Sequence, residues 1–295
     1  MTAPDDRSTV AQGEPWARWV VETTGASAIV GSQRVASLWG GYGQLVRIRL
    51  TGASAPVEPP AAGASRSVSH RRKVDSYDVE SAFYRSYAAR SGEHPRVARH
   101  LGQRMGGGQW LILLEDLDAA GFPRRIRDPR GAELEACVGW LAAFHARFFG
   151  EAPRGVWSEG TYWHLDTRRE ELAAIAGTEL HRRAPELDRR LREARFRTLV
   201  HGDAKPANFC FSEDGRRVAA VDFQYVGGGV GVRDVAYLLD GGSRTAEARS
   251  LDLYFDRLRD ALPRSVDGGA VEAEWRDLYP VAALDFRRFL AGWRG

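Results

Sequence analysis

The stretch Leu199-Val-His-Gly-Asp-Ala-Lys-Pro-Ala-Asn208, followed by Val221-Asp-Phe-Gln224, brings together Asp203, Lys205, Asn208 and Asp222. Four residues separate Asp203 from Asn208, the interval of the catalytic loop His-Arg-Asp-x-x-x-x-Asn. Phosphoryl transfer from a nucleotide asks a protein for three things: a carboxylate to orient or deprotonate the attacking hydroxyl, oxygen ligands for Mg²⁺, and a cation beside the γ-phosphate. Asp203 has the chemistry for the first. Asn208 and Asp222 offer the hard carboxamide and carboxylate oxygens that Mg²⁺ prefers, and Lys205 is placed for the third. Any one of these residues alone reads as a turn former; the whole set at these intervals does not.

Such groups converge only if a strand, a loop and a second strand hold them. Residues 197–200 and 218–221 read as those strands, with Ser212-Glu-Asp-Gly215 as the turn between. Upstream, a short helix is expected over 15–23 and a hairpin over 35–39 and 44–50, joined by Gly40-Gly-Tyr-Gly43. Residues 51–68, rich in Ala, Pro, Ser and Gly, read as a loop. A helix is expected over 76–90, where Val79, Phe83 and Tyr87 recur every four residues. A second hairpin is expected over 96–104 and 109–117. The remainder is helical: Leu134, Val138, Leu141, Phe144 and Phe148 form one apolar stripe, and helices are expected over 167–194, 245–262 and 271–293. The pattern predicts an α+β, two-lobed layout, with residues 1–117 (a tail at 1–13 and a degenerate strand region at 51–68) as the nucleotide-binding lobe. Residues 118–295 form the catalytic and acceptor-binding lobe.

The motif His201-Gly-Asp-Ala-Lys-Pro-Ala-Asn208 with Asp222-Phe-Gln resembles the aminoglycoside-phosphotransferase and choline-kinase superfamily. Leu114-Glu-Asp-Leu-Asp-Ala-Ala-Gly-Phe-Pro123, Gly160-Thr-Tyr-Trp-His164 and Gly231-Val-Arg-Asp-Val-Ala-Tyr237 are similar to its ecdysteroid-kinase-like (CHK kinase-like) branch. The resemblance implies a protein-kinase-like fold and transfer from ATP or GTP to a hydroxyl of a small-molecule acceptor. It implies Asp203 as base or orienter, Asn208 and Asp222 as Mg²⁺ ligands, and Asp234 as a brace for the catalytic loop. Backbone groups of Glu115 and Leu117 would meet the adenine. His-Gly-Asp and Asp-Phe-Gln depart from the protein-kinase pattern, and the segment from Asp222 to Asp234 is too short for a peptide-docking activation loop.

One expected part is missing. In that fold, a strand after the glycine hairpin carries a phosphate-holding Lys, paired with a Glu of the next helix. Glu80 in Val79-Glu-Ser-Ala-Phe-Tyr84 matches the Glu, but where the strand should run the chain reads Ala55-Pro-Val-Glu-Pro-Pro-Ala-Ala62. Three accounts stand open: Lys73 reaches the phosphates from the start of the helix, one of Arg66, Arg71 or Arg72 substitutes, or the strand is shortened and the nucleotide is held poorly. Lys73 is equally readable as a solvated charge. The last account admits the alternative of a pseudokinase-like protein that binds a nucleotide or ligand without transfer. Gly41 and Gly43 are candidates for a phosphate-covering loop, or for a plain turn.

Composition narrows the classes. With 42 basic and 39 acidic residues the net charge is +3, so there is no field to draw nucleic acid or a membrane surface. Lys73 and Lys205 are the only lysines in an arginine-dominated chain, so each stands out as a compact, rotatable ammonium. Two cysteines, Cys137 and Cys210, make neither a disulfide framework nor a zinc site. A polar start and no long apolar run give the expectation of a soluble, cytoplasmic protein. His145 reads as a hydrogen-bonded helix histidine, His164 as packing or acceptor lining, and Cys210 as a small buried side chain.

Overall fold

The computed structural model describes residues 16–37, 43–52, 57–58, 68–106 and 109–293. Helix α1 (Ala17–Thr24) leads into strands β1 (Ala28–Ser37) and β2 (Gln44–Thr51), an antiparallel hairpin. On β2, Val46 and Ile48 are buried with Val20 of α1, while Arg47 between them turns to the other face, as the period of two requires. Gly41 lies outside the described residues; Gly43 is a buried bridge residue just ahead of β2.

The strand that the sequence did not disclose exists. β3 (Val57–Glu58) pairs Val57 with Val46 on one side and with Leu113 on the other. Its two described residues lie among Pro56, Pro59 and Pro60, which have no N–H to give to a ladder. With β5 (His100–Gly106) and β6 (Gln109–Leu114) it completes a sheet in the order β1-β2-β3-β6-β5.

Helix α2 (Val68–Ser86) starts eight residues ahead of the expected 76, and α3 (Ala88–Ser91) follows it. The run Ser69-His-Arg-Arg-Lys has no apolar period to betray a helix, so Lys73 lies inside α2 and not before it. Phe83 of α2 stacks on Phe223 of the Asp-Phe-Gln segment at 3.8 Å between ring centroids. This contact fastens α2 to the helical half, because both rings are fully buried. A second fastening is β4 (Arg96–Val97), which runs parallel to a strand of the helical half.

In that half, α4 (Ala132–Arg147) carries the expected apolar stripe into the core. The expected helix over 167–194 is two, α5 (Arg169–Ala174) and α6 (Glu179–Arg192). Gly177 adopts φ 82° and Thr178 caps His181 N–H at 3.2 Å, a stop followed by a start. The strands β7 (Thr198–Val200), β8 (Phe209–Phe211), β9 (Val218–Ala220) and β10 (Gly227–Gly229) frame the catalytic segment, with β8 and β9 antiparallel and β9 taking β4 as its parallel partner. Helices α7 (Val232–Leu238), α8 (Arg244–Ala261) and α9 (Gly268–Trp293) close the core. This is the α+β, kinase-like two-lobed fold. No described helix is long and apolar enough to cross a membrane.

Candidate active site

The catalytic loop is held from behind by one buried carboxylate. Asp234 on α7 accepts from His201 N–H at 2.6 Å and Gly202 N–H at 2.9 Å, and meets His145 Nε2 at 3.1 Å. Tyr254 completes the chain at His145 Nδ1, 2.8 Å away. His145 is thus the hydrogen-bonded helix histidine that the sequence suggested. Burial lowers the pKa of His201, whose ring bonds the Val221 carbonyl at 3.0 Å, joining the loop to the strand that carries Asp222.

Gly202 passes so close to the neighbouring chain that a Cβ would overlap the Tyr225 carbonyl, and it does so at φ 81°. A side chain there meets both a left-handed backbone cost and an immovable peptide. Gly202→Ala is expected to lower unfolding stability by at least about 3 kcal/mol, read from a urea or thermal midpoint.

Asp203 is 4% exposed. Its Oδ2 accepts from Lys205 Nζ at 2.6 Å and from Asn208 Nδ2 at 3.0 Å, while Oδ1 is buried and makes no hydrogen bond among the described residues. Burial, reinforced by the Asp222 carboxylate, raises its pKa to about 7. Burial works against the Lys205 charge, but Asp203 outweighs it and the ammonium is held above its ordinary range. With Nδ2 of Asn208 donating to Asp203, its carboxamide oxygen is left for another ligand. Asp222 adopts φ 67°, a left-handed conformation that a non-glycine residue keeps only where its surroundings impose it.

Asn208 and Asp222 line a cleft of about 410 Å³ between the sheet and the helical half, within the size range of small-molecule sites. Val35, Leu45, Cys210 and Val221 give it apolar walls. At its back, Glu115 is clamped by both Arg96 contacts at 2.7 Å and by Arg99 N–H at 2.9 Å. Among the described residues, the Glu115 carbonyl and the Leu117 N–H make no hydrogen bond. Arg47, reaching in from β2, pairs with Asp116 at 2.7 Å and Asp118 at 2.5 Å at the rim.

Lys73 comes to the edge of the cleft through Gln224, which lines it. Its Nζ donates to Gln224 Oε1 at 2.7 Å; burial lowers its pKa, while Asp222 and Glu80 pull the other way. Glu80, one side of the expected Lys–Glu pair, accepts from Phe223 N–H at 3.2 Å. The pair therefore differs from expectation: both of its members lie on α2, two turns apart, and both engage the Asp-Phe-Gln segment. Glu58 occupies the strand in place of a lysine. Among the described residues no three or more His, Cys, Asp or Glu side chains form a ready-made metal cluster. The candidate donor set is one carboxylate and one carboxamide.

A model of the phosphotransferase enzyme family (APH) matches residues 64–268. The chain belongs to that family. Its match spans α2, the segment from β7 to α7 and the cleft residues from Glu80 onward, but not the β1 and β2 side of the cleft. No curated protein matches the sequence at a significant level. Similar solved structures include an aminoglycoside-3′-phosphotransferase of type VIII, 16% identical over 85% of this chain and 93% of that one, with a TM-score of 0.48. Another is an aminoglycoside phosphotransferase from Streptomyces rimosus in complex with ADP and streptomycin, 15% identical over 90% and 99%, TM-score 0.47. A third is a macrolide 2′-phosphotransferase from Brachybacterium faecium, 15% identical over 85% and 83%, TM-score 0.45. Likeness at this distance carries no acceptor across to this phosphotransferase.

The sequence reading missed several parts of the site. Gln224 as the anchor of Lys73 was hidden by a separation of 151 residues. Arg47 looked like an ordinary outward residue of an alternating strand. Tyr162, Tyr225 and Tyr237 come from three separate segments, and only their ring contacts show that they meet.

Proposed function

We propose that this phosphotransferase moves the γ-phosphoryl group of ATP or GTP, with Mg²⁺, to a hydroxyl of a small-molecule acceptor. The observation that carries the reading is the junction at Asp203, whose one oxygen holds Lys205 and Asn208 while the other is buried and unmatched. An unpaired buried oxygen is costly, and an acceptor hydroxyl donating to it would remove that cost and set the oxygen nucleophile in line. Asp203 takes the hydroxyl proton, the acceptor oxygen bonds to phosphorus, and the bond to the β–γ bridging oxygen breaks with its electron pair leaving on the nucleoside diphosphate.

The donor set suits Mg²⁺, which binds through one or two protein oxygens plus substrate phosphates. Asn208 and Asp222 would hold it. When bound, it would neutralise charge on the β- and γ-phosphate oxygens. Lys205, held on Asp203, would meet the γ-phosphate. Lys73 takes the place of the absent strand lysine, positioned by Gln224 and by Glu80 through Phe223. The unpaired Glu115 carbonyl and Leu117 N–H suit an adenine edge. Gly41 and Gly43 are proposed to cover the phosphates. The segments at 114–123, 160–164 and 231–237 suggest the ecdysteroid-kinase-like branch. Both cysteines, free and buried, suit a cytoplasmic enzyme. The pseudokinase alternative draws on the missing lysine, and Lys73 weakens it.

The test is transfer of label from γ-labelled ATP or GTP, with and without Mg²⁺. Chelation is expected to stop turnover and to abolish most nucleotide-induced thermal stabilisation. Lys73→Met removes one charge-assisted contact to phosphate, so its nucleotide kcat/KM should fall by about tenfold to a hundredfold. Full turnover in chelator would sink the proposal, and a silent Lys73 variant would sink the lysine assignment.

A further inference from the structure

The wall beyond Asp203 has a composition of its own. Residues 160–164 lie directly on the catalytic loop: Tyr162 N–H donates to the Gly202 carbonyl at 3.0 Å, and Thr161 N–H to the Tyr225 carbonyl at 3.1 Å. The ring centroids of Tyr162 stand 5.8 Å from Tyr225 and 5.9 Å from Tyr237, and Trp157 stacks on Tyr225 at 6.4 Å. All four residues are half-buried, so none is wholly covered, and Tyr162 also packs on Phe289 at 5.0 Å and on Trp163 at 5.4 Å. Tyr237 lies against Asp203, and burial followed by that carboxylate raises its pKa above the usual phenol range.

The charges on this wall are positive. Arg168 is 4% exposed beneath Tyr162, its guanidinium carbon 5.2 Å from that ring centroid. Arg72, on the first turns of α2, donates to the Thr167 carbonyl at 2.7 Å and has no carboxylate partner among the described residues. Tyr225 is tied to this wall by its carbonyl, which accepts from Thr161 N–H, and by its ring against Tyr162; burial raises its pKa. The carboxylates nearby are already engaged: Glu171 with Arg168 at 3.1 Å, Asp166 with Arg192 at 2.8 Å, and Asp188 with His164 at 3.3 Å. Glu159 is bound by Arg197 and Arg233.

We propose that the acceptor is a hydroxylated compound with a flat aromatic body and an anionic group, not a polycation. The rings of Tyr162, Tyr225 and Trp157 receive the body, the orphaned Oδ1 of Asp203 receives the hydroxyl, and Arg72 receives the anion. A flat ring gains area and stacking on these faces, and a guanidinium without a carboxylate partner is suited to a carboxylate or phosphate group. An ammonium group would meet Arg72 as a repulsion, which disfavours it. The proposal rests on the phosphotransferase reading and extends it to the acceptor.

The experiment uses the full-length protein with γ-labelled ATP and Mg²⁺. The acceptors are hydroxylated aromatic acids of one to three fused rings, their methyl esters, and kanamycin. At least one acid is expected to be phosphorylated with kcat/KM about tenfold above its ester, and kanamycin not at all. Arg72→Gln should raise KM for that acid about tenfold and erase the preference for acid over ester; an unchanged thermal unfolding midpoint reports that the variant is folded. Phosphorylation of kanamycin at or above the rate of the acids overturns the proposal. So does equal use of acid and ester by the unaltered protein, or an acid preference that survives Arg72→Gln. Mg²⁺-dependent hydrolysis of ATP with no transfer to any acid overturns the acceptor class but leaves the phosphotransferase reading intact. Neither binding nor hydrolysis of nucleotide brings down both.

Discussion

Asp203→Asn is expected to reduce phosphoryl transfer by about a thousandfold while the protein stays folded and still binds nucleotide. The reason lies in how the two oxygens of Asp203 are used. Oδ2 accepts from two donors, Lys205 Nζ and Asn208 Nδ2, and Oδ1 makes no hydrogen bond among the described residues, with the Tyr237 hydroxyl beside the carboxylate. An asparagine carries one acceptor and one donor group. Turned one way, its NH₂ would confront those two donors. Turned the other, its oxygen keeps them and its NH₂ points to where the acceptor hydroxyl would sit. The second arrangement preserves the loop, so stability and nucleotide-induced stabilisation should change little. It removes the group proposed to take the proton, and an amide nitrogen in its stead cannot accept one. Label transfer and thermal shift measured side by side give the answer. A variant that transfers within tenfold of the unaltered protein would remove Asp203 from the chemistry.

What the sequence disclosed, and what it hid, divides along chain distance. Asp203, Lys205, Asn208 and Asp222 sit in one strand–loop–strand unit, so spacing alone implied their convergence, and Lys205 and Asn208 do meet on Asp203. Asp234 was accessible only through the family motif, since nothing local says that a helix carboxylate will hold two loop N–H groups. The tie between Lys73 and Gln224 was invisible, because it is made by the docking of α2 through Phe83 on Phe223. Two-residue β3 was hidden by its prolines: its strand character comes from its neighbours Val46 and Leu113 and not from its own pattern. The Gly177-Thr178 break was written in the sequence and was passed over in favour of the longer amphipathic run. The tyrosine wall could not be read at all, since tyrosines at 162, 225 and 237 share no period.

Asp222→Asn is the second large effect, and its backbone makes it an unusually clean variant. Asp222 holds φ 67°, a conformation in which asparagine is at least as comfortable as aspartate. Alanine there would add a backbone cost of order 1 kcal/mol and confuse lost chemistry with lost stability. Asparagine keeps one oxygen toward the cleft but surrenders the negative charge, and a hard divalent cation is held largely by charge. Transfer is therefore expected to fall by about a thousandfold. Stability should remain near that of the unaltered protein or rise, because the carboxylate that crowds Asp203 is gone. The readout that separates a ligand from a bystander is not activity. In the unaltered protein, ATP should stabilise the fold more with Mg²⁺ than with chelator; in Asp222→Asn that increment should vanish while the metal-free stabilisation persists. A variant that keeps the full Mg²⁺ increment would show that Asp222 holds no metal, and the left-handed backbone at that position would then need another cause.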